Sequence, residues 1–171
     1  IYAGAQKNMG PAGVTLIVVK NDILGKSTRS IPSILDYQKH IAAEGMYNTP
    51  PVFAIYTSLL NLKWLKSIGG LAAISEKNKA KATLIYNEID RNPLFEGTAD
   101  VADRSMMNVT FLLKKEELTE KFAEICESKG ISGIAGHRSV GGYRASIYNA
   151  MPIESVAVLV AAMQELEKHS N

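Results

Sequence analysis

The stretch YAGAQKNMGPAGVTLIVV, residues 2–19, decides how the rest of the chain reads. Lys7 stands between Gly4 and Gly10 in a run of small residues, just before the apolar, β-branched run Val14 to Val19. Gly10, Pro11 and Gly13 punctuate a turn, and the run after them reads as a strand buried on both faces. A lysine in such a turn has few bulky neighbours above it. That suits a Schiff-base lysine, whose amine must be partly desolvated to act as a nucleophile near neutral pH. The plainer alternative is a surface lysine in a loop before a strand, and on composition alone it is the commoner case.

Downstream, residues 20–26 are polar with a short helical possibility, and 27–33 form a loop containing Pro32. SILDYQKHIAAEGM, residues 33–46, is ambiguous. NTPP at 48–51 then starts a helix: Asn48 or Thr49 can cap it, and proline is tolerated in a first turn. The helix predicted from there runs to about Ile68, with Val52, Tyr56, Leu59, Leu60, Trp64 and Leu65 in an apolar stripe that places Trp64 in a core. Gly69 and Gly70 stop it. A second helix, 71–90, turns Ile74, Ala82, Ile85, Tyr86 and Ile89 inward and leaves Glu76, Lys77, Lys79 and Lys81 on a solvated face.

The loop Asn92 to Asp103, with Pro93 and Gly97, is the best domain boundary in the chain. After it come a strand in SMMNVTFLL, a helix in KEELTEKFAEICESKG, a strand in GISGIAG, a Gly-rich turn, a strand in YRASIYN and a last helix over 152–169. That last helix presents Val156, Leu159, Val160, Met163 and Leu166 on one side. This order suits a small sheet with helices on one face.

Composition narrows the function. The chain has 171 residues, 46% of them hydrophobic, enough for a substantial core. A net charge of +2 gives no general attraction to nucleic acid or anionic membrane. One cysteine, Cys126, fits a reducing cytoplasm, and no apolar run is long enough to span a bilayer. His40 and His169 belong to no cluster, and with Cys126 they give no metal-ligand spacing, so no metal is expected.

Two sets of residues could hold anions. Asn48 and Thr49 at a helix start offer an amide, a hydroxyl and backbone donors, an arrangement that serves as a cap or as a phosphate site. His137, Arg138 and Arg144 crowd positive charge around a Gly-rich turn. They are either exposed arginines of little consequence or a grip on oxyanions, which planar guanidinium groups match bidentately. Gly141 and Gly142 let the backbone turn there without blocking a pocket.

GAQKNMGPAG (4–13), YNTPPVFAIY (47–56), RSMMNV (104–109) and GHRSVGGYRASIYNAMP (136–152) together resemble the phosphoserine aminotransferase family of fold-type I pyridoxal-phosphate enzymes. The resemblance implies an α/β fold: residues 1–95 as the end of the large cofactor domain and 96–171 as the small α+β C-terminal domain. It makes Lys7 the catalytic lysine that carries pyridoxal phosphate, with Gln6 beside the cofactor. It makes Asn48 and Thr49 binders of the partner subunit's cofactor phosphate, hence a homodimer. Arg144 would hold the substrate α-carboxylate, and His137 and Arg138 the phosphate or distal carboxylate. The implied reaction is transamination between glutamate and 3-phosphohydroxypyruvate, in serine and, in many bacteria, pyridoxine biosynthesis. The pyridine-facing aspartate, the stacking ring and the phosphate cup of such enzymes lie upstream of the lysine. The chain is therefore expected to be a C-terminal half, incomplete alone. The competing expectations are another fold-type I transaminase of the alanine-glyoxylate or serine-pyruvate type, and an inactive dimerising fragment.

Overall fold

The structure, a computed structural model, describes residues 1–136 and 141–170. Its elements fall into two compact units, Ile1–Ser67 and Ile68–Asn171.

In the first unit, strands β1 (Tyr2–Gly4) and β2 (Thr15–Ile17) form a two-stranded antiparallel sheet, with Ala3 opposite Leu16. Two 3-10 turns at Asn21–Ile23 and Ser33–Leu35 precede the short helix α1 (Tyr37–Ala42), so the ambiguous stretch 33–46 is partly helical. The Asp36 side chain caps α1 by accepting from the Gln38 amide. Helix α2 (Val52–Ser67) begins after Pro51, as the NTPP signal predicts. Two expectations about this unit are corrected. The β2 run is exposed along its length rather than buried on both faces, because nothing in the unit covers a two-stranded sheet. The apolar stripe of α2 is likewise uncovered: Phe53 is 80% exposed and Trp64 40%, and only Ala54 and Ser58 are buried.

Helix α3 (Gly70–Arg91) opens the second unit, after Gly69 and Gly70 take left-handed φ values of 106° and 69°. Strands β3 (Phe95–Gly97), β4 (Asn108–Leu113) and β5 (Tyr143–Ser146) form an antiparallel sheet in that order. Helices α4 (Thr119–Ser128) and α5 (Ile153–Lys168) complete the unit. Val109 and Phe111 of β4 alternate with less buried neighbours, so one face of the sheet meets the helices. There Phe95, Phe111, Phe122 and Tyr143 interlock, Phe95 edge-on to Phe122 at 5.3 Å and Phe111 stacked on Tyr143 at 5.3 Å. Ile85, Ile89, Met163 and Leu166 fill the same core. Cys126 lies within it, and burial pushes its thiol up to about 11.

The inward faces expected of α3 and α5 are the buried ones. Lys81 is not on a solvated face: it is 2% exposed. Residues 130–134 form no strand, although Ala135 makes an isolated bridge to Tyr143. β3 lies inside the loop expected to separate two domains, and it pairs with β4 while α3 packs on both. The chain's contacts divide after Ser67.

Polar ties lock the helices. Glu88, buried on α3, accepts from Arg91 (2.7 and 3.1 Å), from Asn92 at 2.9 Å and from Gln164 of α5 at 3.1 Å. Arg104, the first residue of RSMMNV, forks onto Asp90 at 2.6 and 2.7 Å and covers the Tyr86 ring at 4.5 Å.

Candidate functional site

In the first unit the loop between β1 and β2 presents Lys7. Its frame is the carbonyl of buried Ala5, which accepts from the amides of Lys7, Met9 and Gly10 at 2.5, 3.3 and 3.0 Å. The Ala5 amide in turn donates to Val14 at 2.8 Å and closes the loop. Two contacts fasten it to α2. Asn61 donates its amide to the Asn8 carbonyl at 2.8 Å, and Gly10 packs on Ser58, where a Cβ would lie 3.0 Å from the serine Cα. Gly13 takes a φ of 107°, which a side chain resists. Lys7 and Gln6 are exposed on a loop held to one shape.

Asn48 and Thr49 line a cleft of about 230 Å³ with Gly13, Val14, Thr15, His40 and the prolines that begin α2. The donor set there suits a small oxyanion: a carboxamide, a hydroxyl, and the positive end of the helix that Pro50 and Pro51 precede. Sequence reasoning left His40 outside any cluster, and the structure brings it to this cleft. Its ring lies 5.2 Å from Tyr47 and 6.4 Å from Tyr37, both edge-on, with Nε2 at 2.8 Å from the Ile34 carbonyl. Ser58 and Asn61 were missed as well. Their only sequence signal is polarity inside an apolar helix, at positions one turn apart.

In the second unit Arg144 stands on β5 opposite Thr110, and its amide donates to Ile134 at 2.8 Å. Arg144 is among the residues that line a cleft of about 360 Å³, with Lys129, Ser132, Ser146, Ser155, Ile131 and Leu159. Lys129 is committed to Glu165 at 2.7 Å, whereas Arg144 forms no ion pair among the described residues. The Gly-rich turn closes through Gly136, whose amide donates to Gly142 at 2.8 Å. Glycine is required at 142, where a Cβ would sit 2.8 Å from the Phe111 carbonyl at a φ of 65°. His137 and Arg138 lie outside the described residues. Among the described residues no three His, Cys, Asp or Glu side chains gather as metal ligands, and no helix is long and apolar enough to cross a membrane.

Comparison with known proteins shows the family of the chain. The class-V aminotransferase profile matches residues 1–159. The chain is 69% identical over 167 residues to a phosphoserine aminotransferase of Flavobacterium johnsoniae, covering 98% of this chain and 47% of that protein. It is 58% identical over 170 residues to that of Azobacteroides pseudotrichonymphae, with 98% and 47% covered. The phosphoserine aminotransferase structure from Bacillus circulans subsp. alkalophilus superimposes with a TM-score of 0.92 at 45% identity, over 99% of this chain and 47% of that one. The pyridoxal-phosphate-bound enzyme from Trichomonas vaginalis gives 0.87 at 40%, over 95% and 47%. The chain thus spans about half the length of the curated relatives it matches. By its profile match, its fold and its motifs, this chain belongs to the class-V aminotransferase family.

Proposed function

We propose that this chain, in a protein of its relatives' length, serves pyridoxal-phosphate-dependent transamination between glutamate and 3-phosphohydroxypyruvate, giving phosphoserine and 2-oxoglutarate. The observation that carries this reading is the Lys7 loop, which is framed on one carbonyl, pinned to α2 at two points and left with its lysine exposed. The name of relatives at 69% and 58% identity, phosphoserine aminotransferase, supports this reading.

The residues present fit the cofactor. Lys7 would hold it covalently, Gln6 would lie beside it, and the cleft of Asn48 and Thr49 has the donor chemistry for its phosphate. When bound, pyridoxal phosphate supplies the sink for the electrons released at the substrate α-carbon. The work of this chain is placement and proton transfer. In one half-reaction the freed Lys7 amine would remove the proton from the donor's α-carbon, and in the other it would deliver a proton to the α-carbon of the acceptor. Arg144 grips the α-carboxylate with a fork that fixes its plane, which aligns the Cα–H bond for removal. His137 and Arg138 extend the positive charge toward the substrate phosphate or distal carboxylate.

Asn48 and Thr49 would serve the cofactor of a second copy, in a homodimer. The apolar side chains that α2 exposes, Phe53, Tyr56 and Trp64 among them, support burial of that helix in the assembled protein. A cytoplasmic setting accords with the buried free thiol of Cys126, which calls for no oxidising compartment. The test is steady-state turnover of the full-length protein with glutamate and 3-phosphohydroxypyruvate. Formation of 2-oxoglutarate that requires the acceptor's phosphate supports the reading. Equal or faster turnover with glyoxylate or pyruvate overturns it.

A further inference from the structure

The β4–β5 ladder ends at the pair Asn108 and Ser146, with one last bond from the Ile147 amide to Met107 at 2.9 Å. The chain then turns toward α5, and its carbonyls at 147 and 148 lie past the end of the ladder. Lys81 of α3 reaches both of them. Its Nζ donates to the Ile147 carbonyl at 3.0 Å and to the Tyr148 carbonyl at 2.7 Å. One turn earlier on α3, buried Asn78 donates to the Asn149 side chain at 2.8 Å. From β4, Asn108 donates to the Tyr148 hydroxyl at 2.9 Å. Three successive residues after β5 are therefore tied down, all of them by α3.

A lysine so deeply buried loses hydration and rotamer freedom, and burial lowers its pKa. It is the kind of residue that a solvated helix face does not need. One nitrogen with several N–H groups can serve two neighbouring carbonyls at once, which no neutral aliphatic side chain of that length can do. The carbonyls it serves are three and four residues from Arg144, along a strand whose other edge is fixed by β4.

We propose that Lys81 is a positioning residue for Arg144: by holding the carbonyls of Ile147 and Tyr148 it fixes the exit of β5, and with it the guanidinium that β5 presents to a substrate carboxylate. This rests on the reading of Arg144 given above. A fork must meet a carboxylate in plane and in register, so a small shift of the strand end weakens the grip without touching the chemistry of Lys7.

The test is a double-mutant cycle in the full-length holoenzyme, with KM and kcat measured for glutamate and for phosphoserine. Lys81→Met keeps the length of the side chain and removes its donors. It is expected to raise KM for both amino donors about tenfold with kcat held within about twofold. In the Arg144→Lys background the same change is expected to add less than about twofold, because the residue it acts through is already gone. Asn78→Ala gives a milder second arm should Lys81→Met not fold: a KM rise of about threefold, again absent in the Arg144→Lys background. Additive effects in either arm would mean that the ties are structural only, and the proposal falls. An Arg144→Lys enzyme with unchanged KM for both donors removes the reading of Arg144, and the proposal with it.

Discussion

Gly10 lies so close to Ser58 that a Cβ at position 10 would come within 3.0 Å of the serine Cα and Cβ and closer still to its hydroxyl. Lack of space, rather than backbone conformation, demands glycine here. Ser58 cannot swing clear, because its hydroxyl donates to the Ala54 carbonyl at 2.8 Å inside α2. Gly10→Ala should therefore lift the Lys7 loop off the helix. We expect kcat in the full-length enzyme to fall about tenfold or more, since displacements near 1 Å carry such costs. Adding Ser58→Gly should restore part of the loss, and kinetics of the single and double variants check it.

Lys7→Ala should abolish transamination and leave the cofactor bound only non-covalently. Mass spectrometry after borohydride reduction reads this directly, with the pyridoxyl label on the Lys7 peptide of the wild type and on no peptide of the variant. A labelled variant with normal turnover would place the reacting lysine elsewhere.

Arg144→Lys keeps the charge and loses the fork. Because every amino-acid substrate carries an α-carboxylate, glutamate and phosphoserine should suffer together, by about ten- to hundredfold in kcat/KM. His137→Ala should instead weaken mainly the phosphorylated substrate. Impairment of Arg144→Lys with only one donor contradicts the α-carboxylate role.

The Glu88 network should make the second unit sensitive to acid. Burial pushes the Glu88 carboxyl up, but hydrogen bonds from Arg91, Asn92 and Gln164 outweigh it and hold the group below its usual value. A carboxyl depressed in the folded state contributes stability above its unfolded pKa of about 4.3 and loses that contribution as the pH falls through the folded value. Glu88→Gln should lower Tm at neutral pH and flatten its decline below about pH 4.3. Thermal melts of both proteins across that range, compared for slope, check the sign.

The 171-residue chain by itself should bind pyridoxal phosphate weakly and turn over no substrate, because it spans about half the length of its relatives. Spectroscopic titration with the cofactor measures this. Full activity from the isolated chain would show that the remaining half is dispensable.

Helices α3 and α5 were legible because each carries its apolar residues where the 3.6-residue period puts them, although the two pack on each other from distant parts of the chain. The strands were less so. β3 is three residues long and follows Pro93 by two residues, inside a stretch that reads as a loop, so only its pairing with β4 reveals it. Lys81 was misplaced because charge patterning sees a lysine among lysines, whereas its partners are carbonyls 66 and 67 residues away. The burial read into Val14 to Val19 and into the α2 stripe needs surfaces that this unit does not contain. Lys7, Asn48, Thr49 and Arg144 stand out as site residues through motif resemblance rather than through any pattern that composition or spacing carries, and their roles remain proposals.

Cys126 has a practical consequence. It is the one cysteine in the sequence, it sits in the core of the second unit, and its thiol is raised to about 11. Near neutral pH only about one thiol in ten thousand would be ionised, so alkylating reagents meet an inert group while the unit is closed. When the unit opens, the same sulfur becomes an ordinary reactive thiol. The rate at which the native protein takes up an alkylating reagent is therefore a clock for how often this core comes apart, with no label to be engineered in.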